Sequence, residues 1–298
     1  MWQATRARIT GHSHEQNMLP CQDFAESQST EECMVCVVAD GASSAPLGEI
    51  GASIAVESIK RYFRDTSLCK LDSMTYRELS DDIKHYFNLY LSKKISEAKL
   101  STRLSDYAAT IAFIVIYEQF DYYLCGVIGD CVIIYFKTNG QATTIFDEST
   151  LHNTQRPSFI TDSSALIHFG EGKLSNYLGF LITTDGCANG GLISFERQCN
   201  IDVINSIFKF LPVTQNPEMW LEKFIRKNIA RFTGDDLSMY VIYNDIYQIE
   251  DERNIYCRMY KNSLQGNYPV TQFLSRTGGM SNGNTEKSMR DRKIKNKK

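Results

Sequence analysis

Five aspartates stand where chemistry could be done: Asp23, Asp40, Asp130, Asp185 and Asp235. Each falls at the edge of a strand-like run or in a turn joining two of them. Three belong to Asp-Gly or Gly-Asp pairs (Asp40-Gly41, Gly129-Asp130 and Asp185-Gly186), and Asp235 follows Gly234. The clearest case lies between Cys33 and Ala52. There an apolar run stops at Asp40-Gly41, a turn of small residues follows, and helical spacing begins near Leu47. A strand end is a rigid mount, a glycine lets backbone groups approach a ligand, and the carboxylate carries the charge. Carboxylates without clustered His or Cys suit hard cations, Mg2+ or Mn2+, whose oxygen shells are completed by water. Two such ions can share a water, lower its pKa and hold phosphoryl oxygens. A single Asp-Gly is most often only a turn, so it is the ordered set that points to a metal centre around Asp40.

Other candidates carry less. Cys33 and Cys36 are three residues apart on an apolar strand, so their side chains face opposite ways, and no second Cys or His pair completes a zinc site. They read as small buried residues. His12 and His14 are too isolated to form a ligand pair.

The elements that must position the aspartates follow from apolar periodicity. Strands are expected over Trp2–Thr10, from Cys21 to Phe24, over Cys33–Ala39, Tyr107–Tyr117, Tyr122–Ile128, Cys131–Lys137, Ala142–Phe146, Ala165–Phe169, Tyr177–Thr184 and Leu237–Tyr243. The unbroken apolar character of Cys33–Ala39 predicts a strand buried on both faces. Helices are expected over Leu47–Phe63, Tyr76–Leu100, Ile201–Phe210 and Pro217–Phe232. Residues 11–22 and 147–162 read as loops, residues 25–32 as a hairpin connection and Leu68–Met74 as a connection. Asn139-Gly140 supplies a hairpin turn.

Composition bounds the answer. The chain has 298 residues, 43% hydrophobic and 22% charged, an ordinary globular balance. A net charge of -3 gives no global sign of a nucleic-acid binder. The stretch from Glu286 to Lys298 holds seven Lys or Arg against two acidic residues, a net +5 that leaves about -8 for the remainder. Its partner is not readable, and residues from about 276 onward lack the apolar content to pack, so disorder is expected there. Nine cysteines without regular spacing, and no secretory signal, favour reduced thiols and a cytoplasmic home. The longest mostly apolar run, Ala108–Tyr117, is about half of the ~20 residues a membrane helix needs.

Six segments in order resemble the metal-dependent protein phosphatases, the type 2C serine/threonine family, in a bacterial-like variant. They are Pro20-Cys21-Gln22-Asp23; Val38-Ala39-Asp40-Gly41-Ala42 through Gly48-Glu49-Ile50-Gly51-Ala52; Ala108-Ala109-Thr110-Ile111-Ala112; Gly126-Val127-Ile128-Gly129-Asp130; Thr183-Thr184-Asp185-Gly186; and Gly234-Asp235-Asp236-Leu237-Ser238. The match covers roughly residues 5–243. The resemblance implies an α+β fold, a four-layer α/β/β/α sandwich with two antiparallel sheets packed centrally and flanked by helices. It implies a phosphatase domain over residues 1–250 and a C-terminal extension over 251–298. It also implies two Mg2+ or Mn2+ ions, with Asp40 bridging them and the Gly41 carbonyl on one. Asp185 and Asp235 would hold the first ion, Asp23 would serve the second, and Asp130 would line a third, weaker position. The implied reaction is attack of a metal-bridging water on phosphoserine or phosphothreonine of a protein substrate. A cognate Ser/Thr kinase would be the partner.

Three positions depart from the family pattern. Met18 stands where many relatives have a phosphate-clamping Arg, Ala42 where some have a candidate acid His, and Asn189 where an acidic residue would serve a third metal. His12, His14, Arg6 and Arg8 are the nearby groups that could replace the clamp, and His14 is the candidate phosphate-binding residue. The same departures motivate an alternative, a pseudophosphatase that binds a phosphorylated partner without turnover. A metal phosphatase for a small molecule is a third reading.

Overall fold

The computed structural model describes residues 1–145, 157–194 and 198–245. The basic tail and most of the loop expected over 147–162 lie outside the described residues.

Among the described residues the strands form two antiparallel five-stranded sheets. One has the order β1 (Trp2–Ile9), β10 (Leu237–Asn244), β9 (Tyr177–Thr183), β6 (Val132–Lys137) and β7 (Ala142–Ile145). The other has the order β2 (Asp23–Ser29), β3 (Met34–Gly41), β4 (Ala109–Tyr117), β5 (Tyr122–Ile128) and β8 (His168–Lys173). The period of two along each strand divides the apolar side chains into three layers. Cys36 and Val38 of β3 meet Phe180 and Ile182 of β9 between the sheets. Val35, Val37 and Ala39 face outward with the apolar stripes of α2 (Gly48–Asp65) and α4 (Tyr76–Ala98). On the opposite outer face, Leu181, Met239 and Val241 pack with α6 (Ile201–Phe210) and α7 (Pro217–Asn228). This is the four-layer sandwich, and it explains why β3 and β4 are apolar without alternation: both faces are covered. Cys33 belongs to an outer layer and Cys36 to the central one, as their spacing requires. Among the described residues every cysteine is free, and no helix is long and apolar enough to cross a membrane.

Several elements differ from expectation, each for a tertiary reason. The polar residues 25–29 continue β2 instead of forming a connection, pairing from Ala25↔Val38 to Ser29↔Met34. β2 is an edge strand, where polar side chains are tolerated, and Lys60 of α2 donates to the Glu26 carboxylate on it. Within the loop expected over residues 11–22 lies the short helix α1 (His12–Gln16), anchored where Ser13 N–H donates to the Gly234 carbonyl at 2.9 Å. Leu68–Asp72, expected as a connection, is one helical turn, α3. Helix α7 ends at Asn228, short of Phe232, where the Asn228 side chain donates to the Phe224 carbonyl.

The strand expected from Ala165 begins only at His168. The backbone before it is spent on α4 instead of the sheet. Lys84 Nζ donates to the carbonyls of Asp162 (2.6 Å), Ser163 (3.1 Å) and Ala165 (2.7 Å), and Ile167 N–H donates to Ser80 Oγ. Lys84 is buried, so Lys84→Met keeps the stem and strips three carbonyls of their donor. We expect a loss of about 2–4 kcal/mol in stability, read as a lower urea midpoint.

Candidate active site

The site lies at one end of the two sheets, where strands from both stop. Asp40 is the next-to-last residue of β3, with Asp23 opposite it on β2 and Thr110 opposite it on β4. From the other sheet, β9 runs out at Thr183 and delivers Asp185 as the first residue of the short helical turn α5 (Asp185–Cys187). Gly234-Asp235-Asp236 leads into β10 beside it. A cleft of about 260 Å3 is lined by Asp40, Asp130, Asp185 and Asp235, together with Gly41 and His14. Asp23 does not line it. It lies behind, 1% exposed, and Thr184 Oγ1 donates to its Oδ2 at 2.7 Å.

Two glycines permit this convergence. A Cβ on Gly41 would lie 2.3 Å from the Gly48 carbonyl carbon, so only glycine lets the strand end touch the start of α2. A Cβ on Gly186 would lie 1.9 Å from the Asp236 carbonyl oxygen, so only glycine lets α5 press against the entry to β10. The Asp-Gly pairs are therefore close-packing devices as well as turns.

The carboxylates raise one another's proton affinity. Burial pushes the Asp23 carboxyl up to about 7, with the Asp236 charge adding to it and the Thr184 hydrogen bond opposing it. Asp40 is held well above the usual carboxylate range, first by burial and then by the charges of Asp23 and Asp185. Asp185 is raised in the same way, by burial and then by Asp130 and Asp235. No Lys or Arg lines the cleft among the described residues. Such a cluster needs protons or cations to neutralise it, and its donors are all hard oxygens, so it fits Mg2+ or Mn2+. Among the described residues no three carboxylates, imidazoles or thiols close into a ligand cage. The aspartates instead stand around a cleft, which leaves coordination positions to water, as Mg2+ prefers.

The replacements suggested for the missing phosphate clamp separate cleanly. Arg6 donates to the Ala25 carbonyl and Arg8 to the Cys21 carbonyl, where Arg8 also covers the Phe24 ring at 4.2 Å. Both arginines therefore tie β1 to the β2 segment. His12 is exposed and pairs with Gln16. Met18 is 93% exposed with φ 52. Only His14 reaches the cleft. Asn189 is exposed and does not line it.

Two residues beside the aspartates have contacts that the sequence does not reveal. Thr184 joins the sheets, accepting from Ser238 N–H while donating to Asp23. Asp236 is 2% exposed and accepts from Gly11 N–H (2.7 Å), Gln22 N–H (2.6 Å) and the His14 ring (Nδ1, 2.8 Å). The Asp235-Asp236 pair was visible, but not that its two members do different work.

Residues 10–226 match the sequence profile of the protein phosphatase 2C family. The chain belongs to that family. The matched segment stops short of Asp235, and it is the pairing of β10 with β1 and β9 that brings this last aspartate to the phosphatase 2C site. Among solved structures, a bacterial serine phosphatase superposes with a TM-score of 0.57 at 14% identity, covering 82% of this chain and 98% of that one. A serine/threonine phosphatase from Staphylococcus aureus gives 0.56 at 13% identity, covering 82% and 95%. RsbX in complex with magnesium gives 0.50 at 14% identity, covering 81% and 94%. At such identity these likenesses establish the phosphatase 2C fold. No curated protein matches the sequence.

Proposed function

We propose that this protein phosphatase uses Mg2+ or Mn2+ to hydrolyse phosphoserine or phosphothreonine in a protein substrate. The observation that carries the reading is the cleft itself: four aspartates from both sheets, with no Lys or Arg among its described lining. Asp40, Asp185 and Asp235 would hold two ions with the Gly41 carbonyl, Asp23 would support the second from behind, and Asp130 would offer a weaker third position. Magnesium bound to RsbX, which shares the fold, agrees with that donor set. Ions in this cleft would supply an acidified water as nucleophile and would neutralise phosphoryl charge.

The chain's own residues have narrower tasks. The aspartates fix where charge can be bound, the strand ends keep them rigid, and His14 offers a hydrogen bond to the phosphate. Ala42 provides no proton for the leaving alcohol, so that proton must come from water in the cleft. The free cysteines agree with a reducing, cytoplasmic setting, and a Ser/Thr kinase acting on the same protein is the expected partner.

One observation favours a second reading, a pseudophosphatase: no arginine among the described lining is available to clamp a phosphate. The two readings separate in one assay. Purified protein with Mn2+ should hydrolyse phosphopeptides and p-nitrophenyl phosphate, and excess EDTA should abolish turnover. Binding of a phosphoprotein with no hydrolysis in either ion would instead support the pseudophosphatase.

A further inference from the structure

Asp236 directly follows the last aspartate of the cluster, yet it does not line the cleft. Its carboxylate is the meeting point of three donors, Gly11 N–H, Gln22 N–H and the His14 ring. These donors come from both ends of residues 11–22, so one buried carboxylate closes that whole segment against residues 234–236. Ser13 N–H, donating to the Gly234 carbonyl, adds a second tie. The His14 imidazole is thereby held through Nδ1, and no described protein group meets Nε2. A free imidazole can present either nitrogen, whereas here only Nε2 is left to serve the cleft.

We propose that Asp236 is a positioning residue for phosphate recognition. It holds His14 so that Nε2 meets an oxygen of the phosphoryl group bound at the carboxylate cluster. The proposal rests on the phosphatase reading above. Asp236 itself touches no substrate and acts through His14. Met18 offers no charge, and Arg6 and Arg8 are committed to carbonyls of the β2 segment. That leaves His14 as the one described lining residue able to carry positive charge. An imidazole bearing both protons donates one to Asp236 and the other to the phosphoryl oxygen.

The test compares the wild type with Asp236→Asn, His14→Gln and the double variant, all in Mg2+. Asparagine keeps the shape, but its single oxygen can stand only for Oδ1, which accepts from Gly11, or for Oδ2, which accepts from Gln22 and His14. One tie is lost along with the charge, and His14→Gln, which leaves both backbone ties in place, separates the two effects. Each single substitution should raise KM for a phosphopeptide and the inhibition constant of inorganic phosphate about tenfold. The double variant should go no further, and half-saturation by Mg2+ should stay unchanged. A second readout does not depend on turnover. In the wild type, inorganic phosphate added with Mg2+ should move the 15N resonance of His14 Nε2, and in Asp236→Asn it should not. The proposal is overturned if the two substitutions multiply, or if Asp236→Asn shifts Mg2+ half-saturation while phosphate inhibition stays at the wild-type value. It is also overturned if phosphate inhibits the wild type without moving the His14 resonance. A wild type that hydrolyses no phosphoester with either ion overturns the phosphatase reading instead, and the His14 resonance then decides this proposal alone.

Discussion

Asp40→Asn is expected to abolish turnover and, in chelator, to melt at a higher temperature than the wild type. Both effects have the same source. Asp40 lies between Asp23 across β2–β3 and Asp185 from the other sheet, and burial with their charges holds its carboxyl well above the ordinary range. A carboxyl raised in this way supports the fold while protonated and withdraws that support as pH rises through the raised value. At neutral pH the cation-free cluster therefore works against the fold. An amide in place of the carboxyl removes the cost of burying that acid among other carboxylates at neutral pH, which should return roughly 1–3 kcal/mol. It also removes the proposed bridging ligand, and kcat/KM should fall by about 1,000-fold or more. The wild type should gain melting temperature on addition of Mn2+, because a ligand that binds only the folded chain stabilises it, and Asp40→Asn should gain much less. Scanning calorimetry with and without EDTA reads both. A variant that melts lower than the wild type in chelator would mean that repulsion is not the dominant force at Asp40. A variant that keeps metal-dependent turnover would remove Asp40 from the centre of the site.

Gly186→Ala is expected to have the largest effect of any substitution of a single methyl group. The new Cβ would sit 1.9 Å from the Asp236 carbonyl oxygen, a backbone atom that cannot swing aside like a side chain. Relief requires the α5 turn and the start of β10 to separate. These segments carry Asp185 and Asp235, and the second also carries the hydrogen bonds of Asp236 to residues 11–22. We expect a stability loss of about 3 kcal/mol or more, in the range of overpacked cores and strained backbone. Mn2+ half-saturation should shift upward in whatever protein remains folded. Urea unfolding and metal-dependent activity measure the two consequences separately. Wild-type stability together with wild-type metal affinity would show that the close approach at Gly186 is not needed.

Much of this fold is legible because its strongest signals are local. β3 and β4 are apolar without interruption, and α2, α4 and α6 carry their stripes at helical spacing, so their existence needs no knowledge of neighbours. Elements defined by their partners are harder to read. β2 is polar because it is an edge, and β8 contains Gly170 and Gly172, residues depleted in strands, yet pairs with β5 from Val127↔His168 to Tyr122↔Lys173. α1 exists because Gly234 and Asp236 hold it, more than two hundred residues away in sequence.

The sequence by itself determined the chemical inventory. Five aspartates at strand edges, two of them followed directly by glycine, supply the hard oxygen donors on which the proposed metal chemistry rests, because residue type and local turn geometry are encoded where they occur. Only the tertiary structure decided how that inventory is arranged. It placed Asp23 behind the cleft and Asp40, Asp130, Asp185 and Asp235 on it. It committed Arg6 and Arg8 to structure, left His14 facing the cleft, and gave the adjacent Asp235 and Asp236 separate tasks. The reason is physical: burial, charge coupling and hydrogen-bond partners depend on which strands from two different sheets end at the same place, and no stretch of sequence contains that meeting.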